Sequence, residues 1–146
     1  TATEVFDAAL RGRPNQVERL RDDVHVAAGD LLDVRVPDGH VTIDGVRTNV
    51  EVGLRYLESW FGGNGAAAIN DLMEDAATAE IARSQLWQWV HHATPTADGA
   101  PVSADIVRRC ATETGAEGPA RDVFEHVALS NDFTEFLTIP AYERLD

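Results

Sequence analysis

The sequence LMEDAATAEIARSQLWQW, residues 72–89, decides the fold of this chain. Two carboxylates, Glu74 and Asp75, stand directly before a run of small residues that favours helix. Asp75 suits the N-cap position, because its carboxylate can accept a backbone N–H of the helix that begins at Ala76. The stretch therefore predicts a helix whose acidic N-terminus also suits the helix dipole. The apolar residues at helical spacing run past the end of the stretch and are Ala79, Ala82, Leu86, Trp89 and Ala93.

Helical patterns continue on both sides of this stretch, and glycine or proline marks where they stop. The glycine loop 62–65 ends the first long segment, Ser103 can cap a later one, and Gly118-Pro119 opens another. The tail after residue 132 is rich in large apolar residues, so we expect it to pack back onto the helices. We therefore predict a bundle of about five helices that forms a C-terminal domain, residues 49–146.

The first part of the chain has weaker signals. Residues 3–10 are typical of a short helix, and Asn15 could cap a second, mostly charged helix over residues 16–24. Over residues 33–49, valine and isoleucine alternate loosely with polar residues between turn signals, which indicates a small hairpin or an extended connector. The predicted class is mainly α, with residues 1–48 as a connecting segment.

The chain has 146 residues and a formal net charge of −13, and all 12 of its basic residues are Arg. Such a negative surface repels phosphate backbones and anionic lipid headgroups, which argues against nucleic-acid and membrane-surface binding. The one cysteine, Cys110, permits no internal disulfide and suits a buried helix position. No apolar run approaches the roughly 20 residues of a membrane span, and no signal peptide is visible, so we expect a cytoplasmic location.

Residues 72–89 resemble the C-terminal part of malate synthases, above all at 72–81 and 84–89. The long motif is specific, and smaller likenesses follow in the same order through nearly the whole chain. One departure is Ala82, where relatives more often have Ser. The smaller likenesses are Arg13-Pro14-Asn15-Gln16, Gly45, Asn49-Val50, Trp60 with its glycine loop, and residues 135–142.

The resemblance implies an enzyme that condenses acetyl-CoA with glyoxylate and hydrolyses the thioester, which yields malate and CoA. In that family a TIM barrel holds Mg²⁺ through a Glu and an Asp, and a barrel Arg stabilises the enolate. A C-terminal helical domain closes the barrel mouth and supplies the catalytic base from a Met-Glu-Asp motif, which maps onto Asp75. Closure expels water and so strengthens a carboxylate as a base. We therefore expect at least one oxygen of Asp75 to face the barrel mouth.

The chain departs from the family in having no room for the barrel, since 146 residues cannot form a fold that needs roughly 250. The metal ligands are therefore missing, and no cofactor-binding residue is identified here. Because the chain starts at Thr1 without Met, we expect a C-terminal piece that is inactive alone. Its partners would be the barrel part of the enzyme, acetyl-CoA and glyoxylate. The alternative is a helical interaction or scaffold module that kept the fold without the chemistry.

Three other features have weaker functional interpretations. His91 and His92 are adjacent, so on a helix they point about 100° apart and cannot chelate one metal ion as an i, i+4 pair would. Trp87 and Trp89 could form a base-stacking platform, but the net charge makes core or interface packing the better interpretation. Arg108-Arg109 could meet a CoA phosphate, although an exposed helix face explains this pair as well.

The acidic, lysine-free composition predicts a protein from a halophile, because salt screens the repulsion among carboxylates and a hydrated acidic surface maintains solubility. Thermal unfolding at low salt and in molar salt tests this prediction. We expect the melting temperature to rise with salt, and the loosened protein to refold when salt is restored. A melting temperature that does not depend on salt would contradict it and leave the arginine bias of a high-GC genome as the explanation.

Overall fold

The computed structural model describes residues 1–12 and 22–145, and most of their regular structure is helical. Contacts divide the chain into two compact units, Thr1–Asp38 and Gly39–Asp146. The predicted mainly α class is confirmed. Over the described residues the elements are α1 (Ala2–Leu10), α2 (Ala28–Leu32), α3 (Ile43–Phe61), β1 (Ala67–Ile69), β2 (Leu72–Glu74), α4 (Ala76–His91), α5 (Ala104–Glu113), α6 (Gly118–Leu129) and α7 (Thr138–Tyr142).

The first unit contains α1 and α2, and neither helix buries a side chain. The predicted helix over residues 3–10 is confirmed by α1. Thr1 and Glu4 form a reciprocal capping box at its start, and Arg11 ends it in the left-handed conformation. The second predicted helix, over residues 16–24, falls largely outside the described residues.

Of the two alternatives predicted within residues 33–49, a hairpin or an extended connector, the hairpin is wrong, and residues 33–42 form a connector that contains no helix or strand element. Val41 makes only an isolated bridge to Thr96, and α3 begins at Ile43. The side chain of Thr42 caps α3 by accepting the N–H of Gly45 at 3.0 Å. Of the valines that suggested a strand, Val34 and Val36 are exposed and precede α3, whereas Val46 is completely buried on α3, so helix capping overrides β propensity at Val46.

The second unit extends across the boundary that the sequence placed between residues 48 and 49. Its five helices, α3 to α7, are the bundle of about five helices that the sequence predicted. The division into residues 1–48 and 49–146 as parts of a complete enzyme stays a prediction.

The core of the second unit lies around α3, which packs against α4, α5 and α6. Gly53 lets α6 approach closely, since a Cβ atom at this position would stand 2.7 Å from Cε2 of Phe124. Cys110 is buried in α5 as predicted, and burial raises the pKa of its thiol. The core side chains that are completely buried include Val46, Val50, Leu54, Leu86, Val107, Phe124 and Val127.

The two strands form an antiparallel hairpin that the sequence did not predict. Ala67 pairs with Glu74, and Ile69 pairs with Leu72. Both turn residues, Asn70 and Asp71, have positive φ, which these two residue types tolerate better than most. The hairpin ends one residue before α4 and so fixes where that helix begins.

Several downstream predictions are confirmed. The Oγ of Ser103 caps α5 through the N–H of Ile106, and α6 begins at Gly118. The tail packs back through the buried Leu137 and Ala141.

No helix in the part of the chain that the structure describes has the length and apolar character to cross a membrane.

We predict that Gly53→Ala lowers the free energy of unfolding. The buried ring of Phe124 blocks the new methyl group, and such overpacking costs about 1–3 kcal/mol. The higher helix propensity of Ala returns only about 1 kcal/mol. Urea unfolding measures the difference. In a Phe124→Leu background the clash is gone, and Gly53→Ala should then be neutral or stabilising. A stabilising effect in the unmodified protein would contradict the close packing of α3 and α6.

Candidate active site

Asp75 caps α4, as the sequence predicted. One carboxylate oxygen, Oδ1, accepts the backbone N–H groups of both Ala77 (2.9 Å) and Thr78 (3.2 Å). The other oxygen, Oδ2, forms no hydrogen bond with any residue in the described part of the chain, and the residue is exposed. The carboxylate is therefore held by one oxygen while the second stays available to a ligand.

The hairpin leads into this cap and places apolar side chains next to it along the chain. Leu72 and Met73 are 62% and 72% exposed, whereas Glu74 is half-buried. Exposed apolar residues also occur in the second turn of α4, at Ile81, and in the tail. We call this set the apolar rim, and its members are Leu72, Met73, Ile81, Phe133, Phe136, Ile139 and Tyr142.

Arg83 is the largest completely buried side chain of the described residues, with 1% exposure. Its guanidinium contacts Glu80, one turn earlier on α4, through Nε (2.7 Å) and Nη2 (2.6 Å). Nη1 donates to the carbonyl of Thr134 at 2.7 Å, and Nη2 donates to the carbonyl of Glu135 at 3.0 Å. A buried guanidinium needs such partners, because an unpaired charge is costly away from water.

Glu80 also links α4 to the tail, because it bonds both Arg83 and Leu137. Its Oε2 binds Arg83, and its Oε1 accepts the backbone N–H of Leu137 at 2.7 Å. The guanidinium also lies 4.3 Å from the ring centroid of Phe133, a cation–π contact. We call these bonds the Glu80–Arg83 clamp, and they tie α4 to residues 133–137. The clamp was not predicted from the sequence, although the i, i+3 pair of Glu80 and Arg83 was a visible signal.

Tyr56 of α3 is buried beside the same end of α4. Burial raises the pKa of its hydroxyl, and the negative charges of Asp75 and Glu80 raise it further, with a smaller contribution from Tyr142. The hydroxyl is therefore a protonated group near two carboxylates. Tyr142 also packs edge-on against Trp60, with ring centroids 5.0 Å apart. The Tyr142–Trp60 contact joins the tail to α3, which packs against α4.

The histidines considered for a metal site and the tryptophans considered for base stacking contact other side chains of the domain. His91 stacks on Trp87 with ring centroids 4.5 Å apart, and it meets His92 edge-on. The indole N–H of Trp87 donates to the carbonyl of Ser130 at 2.8 Å, and Trp89 packs partly buried against the core. Across residues 1–12 and 22–145, no three His, Cys, Asp or Glu side chains gather as a possible metal site.

The two candidate CoA-phosphate residues are on the exposed face of α5. Arg108 lies 3.5 Å from Asp105 and 3.6 Å from Glu125, so acidic neighbours already surround its guanidinium. Arg109 is exposed. Neither residue belongs to the cluster of contacts around Asp75, and the exposed-face interpretation describes both.

Comparison with known proteins identifies the family. The family model described as "Malate synthase, C-terminal" matches residues 40–145. The malate synthase of Streptomyces clavuligerus is 44% identical in an alignment that covers 96% of the chain. Malate synthase A of Escherichia coli (strain K12) is 38% identical in an alignment that covers 99% of the chain. A bifunctional glyoxylate cycle protein of Caenorhabditis elegans is 37% identical to 99% of the chain.

The match covers only part of each of these relatives. The chain spans 29% of the Streptomyces protein, 30% of the Escherichia coli protein and 16% of the Caenorhabditis elegans protein. The matched part is the region that the family model calls C-terminal. This chain therefore belongs to the malate synthase family, whose C-terminal domain it contains.

Proposed function

We propose that the chain acts as the C-terminal part of a malate synthase that condenses acetyl-CoA with glyoxylate and water to give malate and CoA. The observation that carries this proposal is the position of Asp75. Its carboxylate is oriented by two backbone N–H groups through Oδ1, while Oδ2 is free of hydrogen bonds within the described residues. This is the arrangement that a general base needs, because the base must be fixed and still accessible.

In the proposed reaction, Asp75 removes a proton from the methyl group of acetyl-CoA. The resulting enolate carbon attacks the aldehyde carbon of glyoxylate, and water then cleaves the thioester. A positioned general base contributes typically about 10²–10⁴-fold to the rate, which corresponds to roughly 3–5 kcal/mol. A carboxylate in bulk water is a weak base, so the contribution depends on excluding water when the domain closes.

The apolar rim supports closure of the domain over the rest of the enzyme. Seven large apolar residues are exposed in β2, in α4 and in the tail that the clamp ties to α4, and several exposed apolar side chains in linked segments favour an interaction surface. We propose that the rim contacts the barrel part of the same enzyme and that closure places Asp75 at the barrel mouth. On this proposal, residues 49–146 form the closing domain, residues 1–48 connect it to the barrel, and the chain alone is inactive.

The remaining components of the site belong outside this chain. The described residues offer no cluster that fits Mg²⁺, so we propose that the barrel holds the metal, as the family resemblance implies. The net charge of −13 disfavours this domain as the main binding surface for glyoxylate and the CoA phosphates, which are anionic. We further propose a cytoplasmic enzyme of the glyoxylate cycle, adapted to high salt.

We predict that Asp75→Asn in the complete enzyme removes nearly all turnover and lowers kcat by about 10²–10⁴-fold. Asn caps helices about as well as Asp, so α4 should stay intact and the melting temperature should change little. Binding of acetyl-CoA should be retained, and isothermal calorimetry measures it beside steady-state kinetics.

A matched control removes a different carboxylate from a helix start. Asp105 lies exposed in the first turn of α5, so Asp105→Asn should leave kcat within about twofold, as is usual for a surface substitution away from the site. Turnover of Asp75→Asn within a fewfold of the unmodified enzyme would reject Asp75 as the base. It would favour the interpretation of this domain as a helical interaction module.

A further inference from the structure

We propose that Glu80 and Arg83 are positioning residues for the condensation, because the Glu80–Arg83 clamp sets the place of the tail part of the apolar rim (Phe133, Phe136, Ile139 and Tyr142) relative to Asp75. This inference rests on the proposed role of Asp75 as the base. Neither residue is placed in contact with substrate. They act through the geometry of the domain that delivers the base.

The clamp joins the two parts of the chain that must arrive together when the domain closes. Asp75 caps α4, and Glu80 and Arg83 follow it by five and eight residues, or about 8 and 12 Å along the helix axis. On the other side of the clamp, the bonded backbone of residues 134–137 contains Phe136 of the apolar rim. Ile139 and Tyr142 of the rim follow in α7.

Three features make the clamp rigid. The guanidinium of Arg83 is 1% exposed, so water does not compete for its donors. Its partners are two backbone carbonyls, at Thr134 and Glu135, and a carboxylate held on the same helix. Glu80 adds a backbone N–H bond of 2.7 Å from Leu137. The tail is therefore fixed at three consecutive or nearly consecutive peptide groups, which fixes its direction as well as its distance.

The reaction rate depends strongly on the position of the base. A displacement of 1 Å by a change remote from the chemistry can reduce the rate by about 10²-fold. If the apolar rim docks on the barrel, any change in the direction of the tail relative to α4 moves Asp75 when the domain closes. The clamp lies between the docking residues of the tail and the base, so it controls this displacement.

A second arginine of the same domain provides a matched control. Arg55 of α3 pairs with Glu58 at 2.8 Å, again an i, i+3 pair, and donates to the carbonyl of Thr114 at 2.9 Å. It therefore ties one helix to the end of another in the same manner, but it connects α3 to the end of α5. Loss of this pair changes stability without changing the link between Asp75 and the apolar rim.

The test compares Arg83→Met and Arg55→Met in the complete enzyme, with both variants assayed well below their melting temperatures. For Arg83→Met we expect kcat to fall by at least tenfold while KM for acetyl-CoA and glyoxylate changes less than threefold, and hydrogen exchange at the Leu137 amide to accelerate. For Arg55→Met we expect kcat within twofold of the unmodified enzyme. Val107→Ala, a core variant in α5, gives a second control for lost stability alone.

A double-mutant cycle separates positioning from general destabilisation. A residue that acts through Asp75 has no further effect on kcat once Asp75 is Asn, because the effects of residues that work as a unit are not additive. We therefore expect Arg83→Met to leave the residual kcat of Asp75→Asn unchanged within twofold. A merely structural role would reduce kcat by the same factor in both backgrounds.

A milder variant keeps the test valid if Arg83→Met does not fold. Glu80→Gln removes the negative charge of the clamp and replaces two acceptor oxygens by one, which can accept the N–H of Leu137 but then leaves Arg83 without its side-chain acceptor. Its kcat should fall less than that of Arg83→Met, but it should show the same lack of additivity with Asp75→Asn.

The possible failures are distinguishable. High turnover of Asp75→Asn would overturn the proposed function itself. If Asp75→Asn is inactive but the clamp variants keep kcat within twofold, or lose the same factor in both backgrounds, the positioning role is wrong and the proposed base stands.

Discussion

The buried guanidinium of Arg83 constrains the rest of this domain. A charge with 1% exposure cannot rely on water, so the protein must supply acceptors in the directions of its donors. Glu80 is available one turn away on the same helix, but the remaining acceptors come from the backbone of Thr134 and Glu135, about fifty residues later. Satisfying Arg83 therefore requires the tail to return to α4, and this return brings the apolar rim to the helix that Asp75 caps.

The acidic composition of the chain also bears on the proposed function. Most of the 25 acidic residues compose a surface that repels anions, although both proposed substrates are anionic. Such a domain suits the delivery of a base better than the capture of substrate. The few carboxylates with an individual structural role are set apart by their bonds. Asp75 binds two backbone N–H groups through one oxygen, and Glu80 binds Arg83 and Leu137.

Much of the fold could be predicted from local signals. The cap at Asp75, the cap at Ser103 and the opening of α6 at Gly118 follow from the chemistry of helix ends, and all three are confirmed. The hairpin or connector predicted over residues 33–49 overlaps the start of α3 because Ile43 and Val46 favour strands as residue types, whereas the cap at Thr42 favours helix. Local propensity and local capping gave opposing signals, and capping prevailed.

Features that depend on distant parts of the chain could not be predicted in this way. The clamp joins Arg83 to carbonyls some fifty residues away, and a backbone carbonyl has no sequence signature. The hairpin around Asn70 and Asp71 has short strands, so its signal was limited to two turn residues. The position of Tyr56 near Asp75 likewise depends on how α3 and α4 pack. The candidate base and its cap were predicted from the motif, but the contacts that tie α4 to the tail required the structure.

The most direct measurement is a crystal structure of the complete enzyme with acetyl-CoA bound in the closed state. The quantity to measure is the distance between Asp75 Oδ2 and the methyl carbon of the acetyl group. We predict a near-attack distance of about 3–3.5 Å, with Oδ1 still bound to the backbone of α4 and the clamp intact. A closed complex in which Asp75 faces solvent and another side chain contacts the methyl group would contradict it.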